Sequence, residues 1–156
     1  MNLIQSNLLK SLFIMMASAM LFATNANAGE LVYKNKSWPA AVGGYDTVSY
    51  FTETGPVKGS SEFSTTYLGQ EWFFANQANL DAFVADPDAY RPQYGGYCAW
   101  AMAKGQKAPG KPNYFDIVDG KLYLNFNKGI QNKWRKDIPG FIEKADPQWA
   151  KLVNGS

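Results

Sequence analysis

Short apolar runs, each closed by a turn or capping residue, organise the chain beyond its N-terminal segment. Residues 64–67 (STTY) and 71–74 (EWFF) are rich in β-branched and aromatic side chains, and Leu68-Gly69-Gln70 between them predicts a β-hairpin. Asn76 then caps a helix whose apolar positions Leu80, Phe83 and Val84 fall on one stripe. Asp86-Pro87 ends it, because a residue before proline is driven out of the helical region. A second hairpin follows as YFDIV, Asp119-Gly120 and KLYLNF, with Asp-Gly supplying the two positive-φ positions of a tight turn. Asn127 caps the next helix, in which Ile130 and Trp134 lie one turn apart and Trp134 is expected to be buried against the sheet. Pro139-Gly140 breaks that pattern, and FIEKADPQWAKL supplies a last short helix. Ahead of these elements, AAVGGYD reads as a loop around Gly43-Gly44 and the alternating TVSYF as a short strand. This order predicts a small single α+β domain of hairpins packed with short helices, without internal repeat.

Between the two hairpin-helix blocks lies YRPQYGGYCAWAMAKG, residues 90–105, which holds the one cysteine, Cys98. Gly95-Gly96 permit a turn and Gly105 ends a helix, so helical backbone is expected from Tyr97, with Cys98 in the first turn. Unsatisfied amides and the helix dipole favour a thiolate at such a position.

The N-terminal segment has a different character. Lys10 is the only charge before the apolar run 11–23, and Ala26-Asn27-Ala28 offers an A-x-A cleavage site, so residues 1–28 read as a signal peptide and residues 29–156 as the mature domain. The run is too short for a membrane span of about 20 residues, and no lipidation signal accompanies it. A periplasmic or secreted protein without membrane attachment after cleavage is expected. The formal net charge of +2 is spread without long runs of one sign, and the basic loop around Lys104, Lys107 and Lys111 lacks interleaved aromatics, which argues against nucleic acid as a partner. One cysteine excludes a disulfide scaffold, and the aromatic content is enough for a core without one.

Histidine is absent. His-assisted hydrolases, His-ligated zinc or iron and imidazole proton shuttles are thereby removed, and a single cysteine removes internal thiol–disulfide exchange. Acidic residues at turns and helix ends, Asp46, Asp86, Asp119 and others, read as caps and solvated charges before they read as a catalytic pair.

GGYDTVSYF, the strand around EWFFA, NLDAFVADPDAY, YGGYCAWAMAKG and DIVDGKLYLNFNKGIQNKW together resemble the exported YHS-domain family. The resemblance implies a treble-clef-like unit of a hairpin packed on a helix, and an association with metal binding through cysteines. Metal-binding members carry a cysteine after an Asp-Pro-Val start, with more at the end of the second strand and in the following helix. This chain has Asp46-Thr47-Val48-Ser49, Phe74-Ala75-Asn76 and Asn79 in those places, so that site does not carry over.

Cys98 is left with several roles: a small core residue, an intermolecular disulfide, a nucleophile lacking a visible base, or a metal ligand with Met102 one turn away. A thiolate and a thioether at i and i+4 share a helix face, and soft sulfur selects Cu(I). The aromatics Tyr45, Tyr94, Tyr97 and Trp100, with Tyr50 and Tyr90, offer the alternative of a pocket for a flat or sugar-like molecule. The expectation is a non-enzymatic exported binding protein, monomeric or weakly dimeric. Its ligand is a soft metal such as copper or, alternatively, a small molecule or protein partner, with Cys98 then purely structural.

Overall fold

The computed structural model describes residues 31–52 and 55–154. The expected signal peptide lies outside them. Among the described residues, six helices and three two-stranded antiparallel pairs make an α+β domain. A 3-10 turn, Ala41–Gly44, leads into β1 (Tyr45–Asp46) and α1 (Ser49–Thr52); β2 (Val57–Lys58) then pairs with β1. β3 (Ser60–Tyr67) and β4 (Gln70–Phe74) form the first hairpin, followed by α2 (Gln77–Ala85) and α3 (Pro87–Tyr90). A second 3-10 turn, Gln93–Gly96, leads into α4 (Ala99–Met102), then the hairpin of β5 (Lys111–Val118) and β6 (Lys121–Asn125), then α5 (Lys128–Trp134) and α6 (Ile138–Val153).

That element order repeats itself at an interval of about 50 residues. The repeat corrects the expectation that there is none. Val42, Gly43 and Gly44 have φ of 52, 66 and 73°, and Tyr94, Gly95 and Gly96 have 54, 61 and 85°. Tyr45 pairs with Lys58, and Tyr97 with Pro109. Gly59 N–H donates to Gly44 O at 2.9 Å, and Gly110 N–H to Gly96 O at 3.1 Å. Each hairpin carries a register irregularity at its start, between Ser60 and Ser64 and between Lys111 and Phe115. Each closes in a two-residue turn, Leu68-Gly69 or Asp119-Gly120, with φ of 50 and 70° in both. Asn76 and Asn127 then cap the next helix through Oδ1, and Asp86 and Asp137 cap the one after, just ahead of a proline.

Several expectations hold: the Asp119-Gly120 turn, the Asn76 and Asn127 caps and the burial of Trp134, whose ring lies 5.4 Å from that of Tyr123 on β6. Others are corrected. TVSYF is not a strand, because the Asp46 carboxylate accepts from the N–H groups of Val48 and Ser49 and turns the chain into α1. Val84 is exposed, since only Phe83 of its stripe is fully covered. Pro139-Gly140 does not separate two helices; Asp137 caps α6, and the proline sits in its first turn, where a missing N–H costs no helical bond.

Two cores result. The first joins Val48, Tyr50, Trp72, Phe74 and Phe83; the second joins Tyr94, Met102, Trp134 and Ala145. Strand β6 feeds both, Leu122 and Leu124 facing the first and Tyr123 the second, as the two-residue period of a strand dictates.

Candidate functional site

Cys98 does not enter the first turn of α4. Tyr97 and Cys98 are extended, with ψ of 158 and 118°, and Cys98 is the residue before the helix. Its N–H donates to Ala108 O at 2.8 Å, and its carbonyl accepts from Met102 N–H at 2.9 Å. Cys98 and Met102 are each 1 % exposed, so neither sulfur faces solvent. The thiol donates to Asn125 Oδ1 at 3.6 Å, an oxygen that also accepts from Trp100 N–H at 3.3 Å, and the backbone amides of Ala101, Phe126 and Trp100 act to lower the thiol's pKa. Burial outweighs those three amides and raises the thiol's pKa, keeping it protonated at neutral pH.

Asp46 stands at the equivalent place in the first half. It is completely buried; Oδ1 accepts from Val48 N–H (2.8 Å) and Ser49 N–H (3.2 Å), and Oδ2 from Ala75 N–H (2.9 Å) and Asn79 Nδ2 (2.6 Å). Four donors satisfy the buried carboxylate and tie β1, α1, the end of β4 and α2 together.

The aromatic residues expected to share one pocket are dispersed. Tyr94 is buried, its hydroxyl donating to Asp146 Oδ1 at 2.8 Å, and burial with that bond moves its pKa far above the usual phenol value. Trp100 lies on another face, with Lys104 Nζ 4.6 Å and Lys133 Nζ 5.5 Å from its ring centroid. Tyr50 is a core residue whose hydroxyl donates to Pro112 O, and Tyr90 packs on Phe51. Tyr97 is half-buried and edges onto Tyr33 at 5.3 Å.

Only Tyr45 of the four faces a groove of about 610 Å³ where the Tyr33–Pro39 stretch meets both halves. Tyr33, Trp38 and Tyr114 give it aromatic walls, and Lys58 and Lys111 are the charged residues among its described lining. Tyr33 is fixed by its N–H bond to Gly95 O and by an edge contact with Trp38 at 5.4 Å. Trp38 is set by a turn in which its N–H donates to Asn35 O. Lys58, opposite Tyr45 in the β1–β2 pair, places Nζ 4.0 Å from the Tyr45 ring centroid and donates to Gly43 O at 2.9 Å. Two ammonium groups, no carboxylate among the described lining residues and aromatic walls give a groove suited to a planar anion. Tyr33, Trp38 and Lys58 escaped the sequence reading, and Lys111 entered it only as part of a basic loop; the one signal was Trp38 beside Pro39 in a segment otherwise read as loop.

Comparison with known proteins bears on the first half. Residues 48–94 match the YHS domain. The match begins just after Asp46 and ends at Tyr94, where the second copy of the arrangement begins. No curated protein and no solved structure matches the chain. Within this YHS domain, the places where metal-binding members carry cysteines are engaged in other bonds. Ser49 Oγ donates to Asp46 O, Asn76 Oδ1 caps α2, and Asn79 Nδ2 holds the Asp46 carboxylate. Among the described residues no group of three or more His, Cys, Asp or Glu side chains is placed to hold a metal.

Proposed function

We propose that the protein is an exported, non-enzymatic binding module that holds a small planar anion in the groove between Trp38, Tyr45, Lys58 and Lys111, with Cys98 as a core residue. One observation carries the reading: an aromatic-walled cleft of ligand size whose charges, among the described residues, are two lysines. Export rests on the pattern of residues 1–28, and no helix among the described residues is long and apolar enough to cross a membrane. Fluorescence titration with anilinonaphthalene sulfonate tests the groove. Saturable one-site binding that Trp38→Ala and Lys58→Ala each weaken at least several-fold is expected, with naphthylmethylammonium binding poorly. Equal binding of the two probes, or no loss in the variants, refutes the reading.

Copper on Cys98 and Met102 is the competing reading, since YHS domains are linked to metal binding. It requires the fold to open, because both sulfurs are buried, that of Met102 in the second core. A Cu(I) titration against a competing chelator separates the two: equal uptake by wild type and Cys98→Ser supports the groove, and stoichiometric uptake lost in Cys98→Ser supports copper.

A further inference from the structure

The two lysines of the groove come from different halves, and the shared backbone imposes neither of them. Gly59 and Gly110 make the same bond in the two halves, to Gly44 O and Gly96 O, so Lys58 has Pro109 as its counterpart and Lys111 has Ser60. Strand pairing keeps that register: Ser60 lies opposite Phe74, and Lys111 opposite Asn125. Phe126, the next residue, therefore stands where the first half has Ala75. Phe126 is left 38 % exposed, and Lys111 Nζ lies 5.1 Å from its ring centroid. Lys58 is held in the same way by a different ring, that of Tyr45 at 4.0 Å, and donates to Gly43 O at 2.9 Å. Each ammonium thus has an aromatic face of its own, which attracts it and restricts its flexible stem while leaving N–H donors for an acid group. With no carboxylate among the described lining residues, one acid group on the ligand answers one lysine and leaves the other unanswered.

Resting on the groove as the binding site, we propose that its ligand is a planar dianion, an aromatic or conjugated diacid with one acid group on Lys58 and the other on Lys111, and that Phe126 is the positioning residue for Lys111. Lys58, beside Tyr45 and inside the groove, serves the first acid group of any planar anion. Lys111 distinguishes a diacid from a monoacid, because only a second acid group gives it a partner. Phe126 is outside the described lining and acts through Lys111: its ring fixes the ammonium before the ligand arrives, so less side-chain freedom is lost on binding. The groove, about 610 Å³, has room for fused rings carrying both groups, with Tyr33, Trp38 and Tyr114 facing the ring system.

The experiment is a calorimetric titration of the mature protein with naphthalene monosulfonate and with naphthalene disulfonates that carry the second sulfonate on the distal ring. At least one disulfonate is expected to bind several-fold more tightly than the monosulfonate. Lys111→Gln should bring that disulfonate down to the monosulfonate's affinity while monosulfonate binding stays nearly unchanged, a split that general damage to the fold would not produce. Lys58→Gln should weaken both probes. Phe126→Leu should remove a large part of the disulfonate's advantage and leave monosulfonate binding as it was. Equal affinity of monosulfonate and disulfonates in wild type, or an advantage that survives Lys111→Gln, overturns the dianion proposal while leaving the groove as an anion site. An advantage untouched by Phe126→Leu overturns the positioning role, and Lys111→Gln tests the dianion even if the Phe126 variant does not fold. Binding of neither probe overturns the groove reading itself, and this proposal with it.

Discussion

Asp46 and Cys98 occupy equivalent points of the two halves, each behind a Gly-Gly-Tyr turn and ahead of a four-residue helix. The backbone device is common to both, and the group it holds is not. In the first half a charged acceptor uses four donors and locks the start of the YHS domain to its hairpin and helix. In the second a neutral thiol donates to Asn125 Oδ1, and Asn125 Nδ2 has no partner among the described residues. The same backbone turn thus holds a fully bonded carboxylate in one place and a weakly bonded thiol in the other.

The difference has measurable consequences. Asp46→Ala leaves four donors without their acceptor, so a loss of about 3 kcal/mol or more in urea unfolding is expected, against about 1 kcal/mol for Cys98→Ser. Equal losses would mean that the two cradles bear the same load. Phe83 and Trp134, both completely buried on the equivalent helices α2 and α5, sharpen the likeness: alanine at either should cost about 3 to 5 kcal/mol. Unequal costs would show that one core relaxes more readily. The Asn76 and Asn127 caps are smaller still, about 1 kcal/mol each on replacement by alanine, by the same unfolding measurement.

The smallest effect is with pH. Burial raises the Cys98 thiol, so the unfolded chain gives up this proton first. The thiol's contribution to stability is complete below the ordinary thiol value of about 8.5 and is lost as pH rises beyond it toward the folded value. Unfolding midpoints between neutral and mildly alkaline pH should fall less in Cys98→Ser than in wild type. The buried phenols of Tyr50 and Tyr94, also raised by burial, add a loss common to both proteins at higher pH.

Much of this architecture was legible from local chemistry. Asp119-Gly120, the two asparagine caps and the Ile130–Trp134 spacing each carry their signal within a few residues. TVSYF misled because a side chain, Asp46, overrides the alternating pattern by capping α1. The repeat was hidden for a related reason. It resides in positive-φ positions, amide directions and turn lengths, while the side chains that fill it differ: Asp46 against Cys98, Phe74 against Asn125, Phe83 against Trp134. The groove was illegible because its walls come from separated stretches, the Tyr33–Trp38 segment, the β1–β2 pair and the start of β5, which only the fold brings together. Tyr94, Tyr97 and Trp100 looked alike in sequence, yet the turn at Gly95-Gly96 sends them to different surroundings. A Cβ at Gly95 would overlap the carbonyl of Leu31, so that turn also fixes the N-terminal segment that carries Tyr33 and Trp38.

The claim that binding belongs to the groove and not to the cysteine is tested most directly by an amide-resolved NMR titration of the mature protein with anilinonaphthalene sulfonate. The account predicts saturable shifts at Tyr33, Trp38, Tyr45, Lys58 and Lys111, with Cys98, Met102 and Asn125 unmoved; shifts centred on Cys98 or Trp100, with the groove silent, would contradict it.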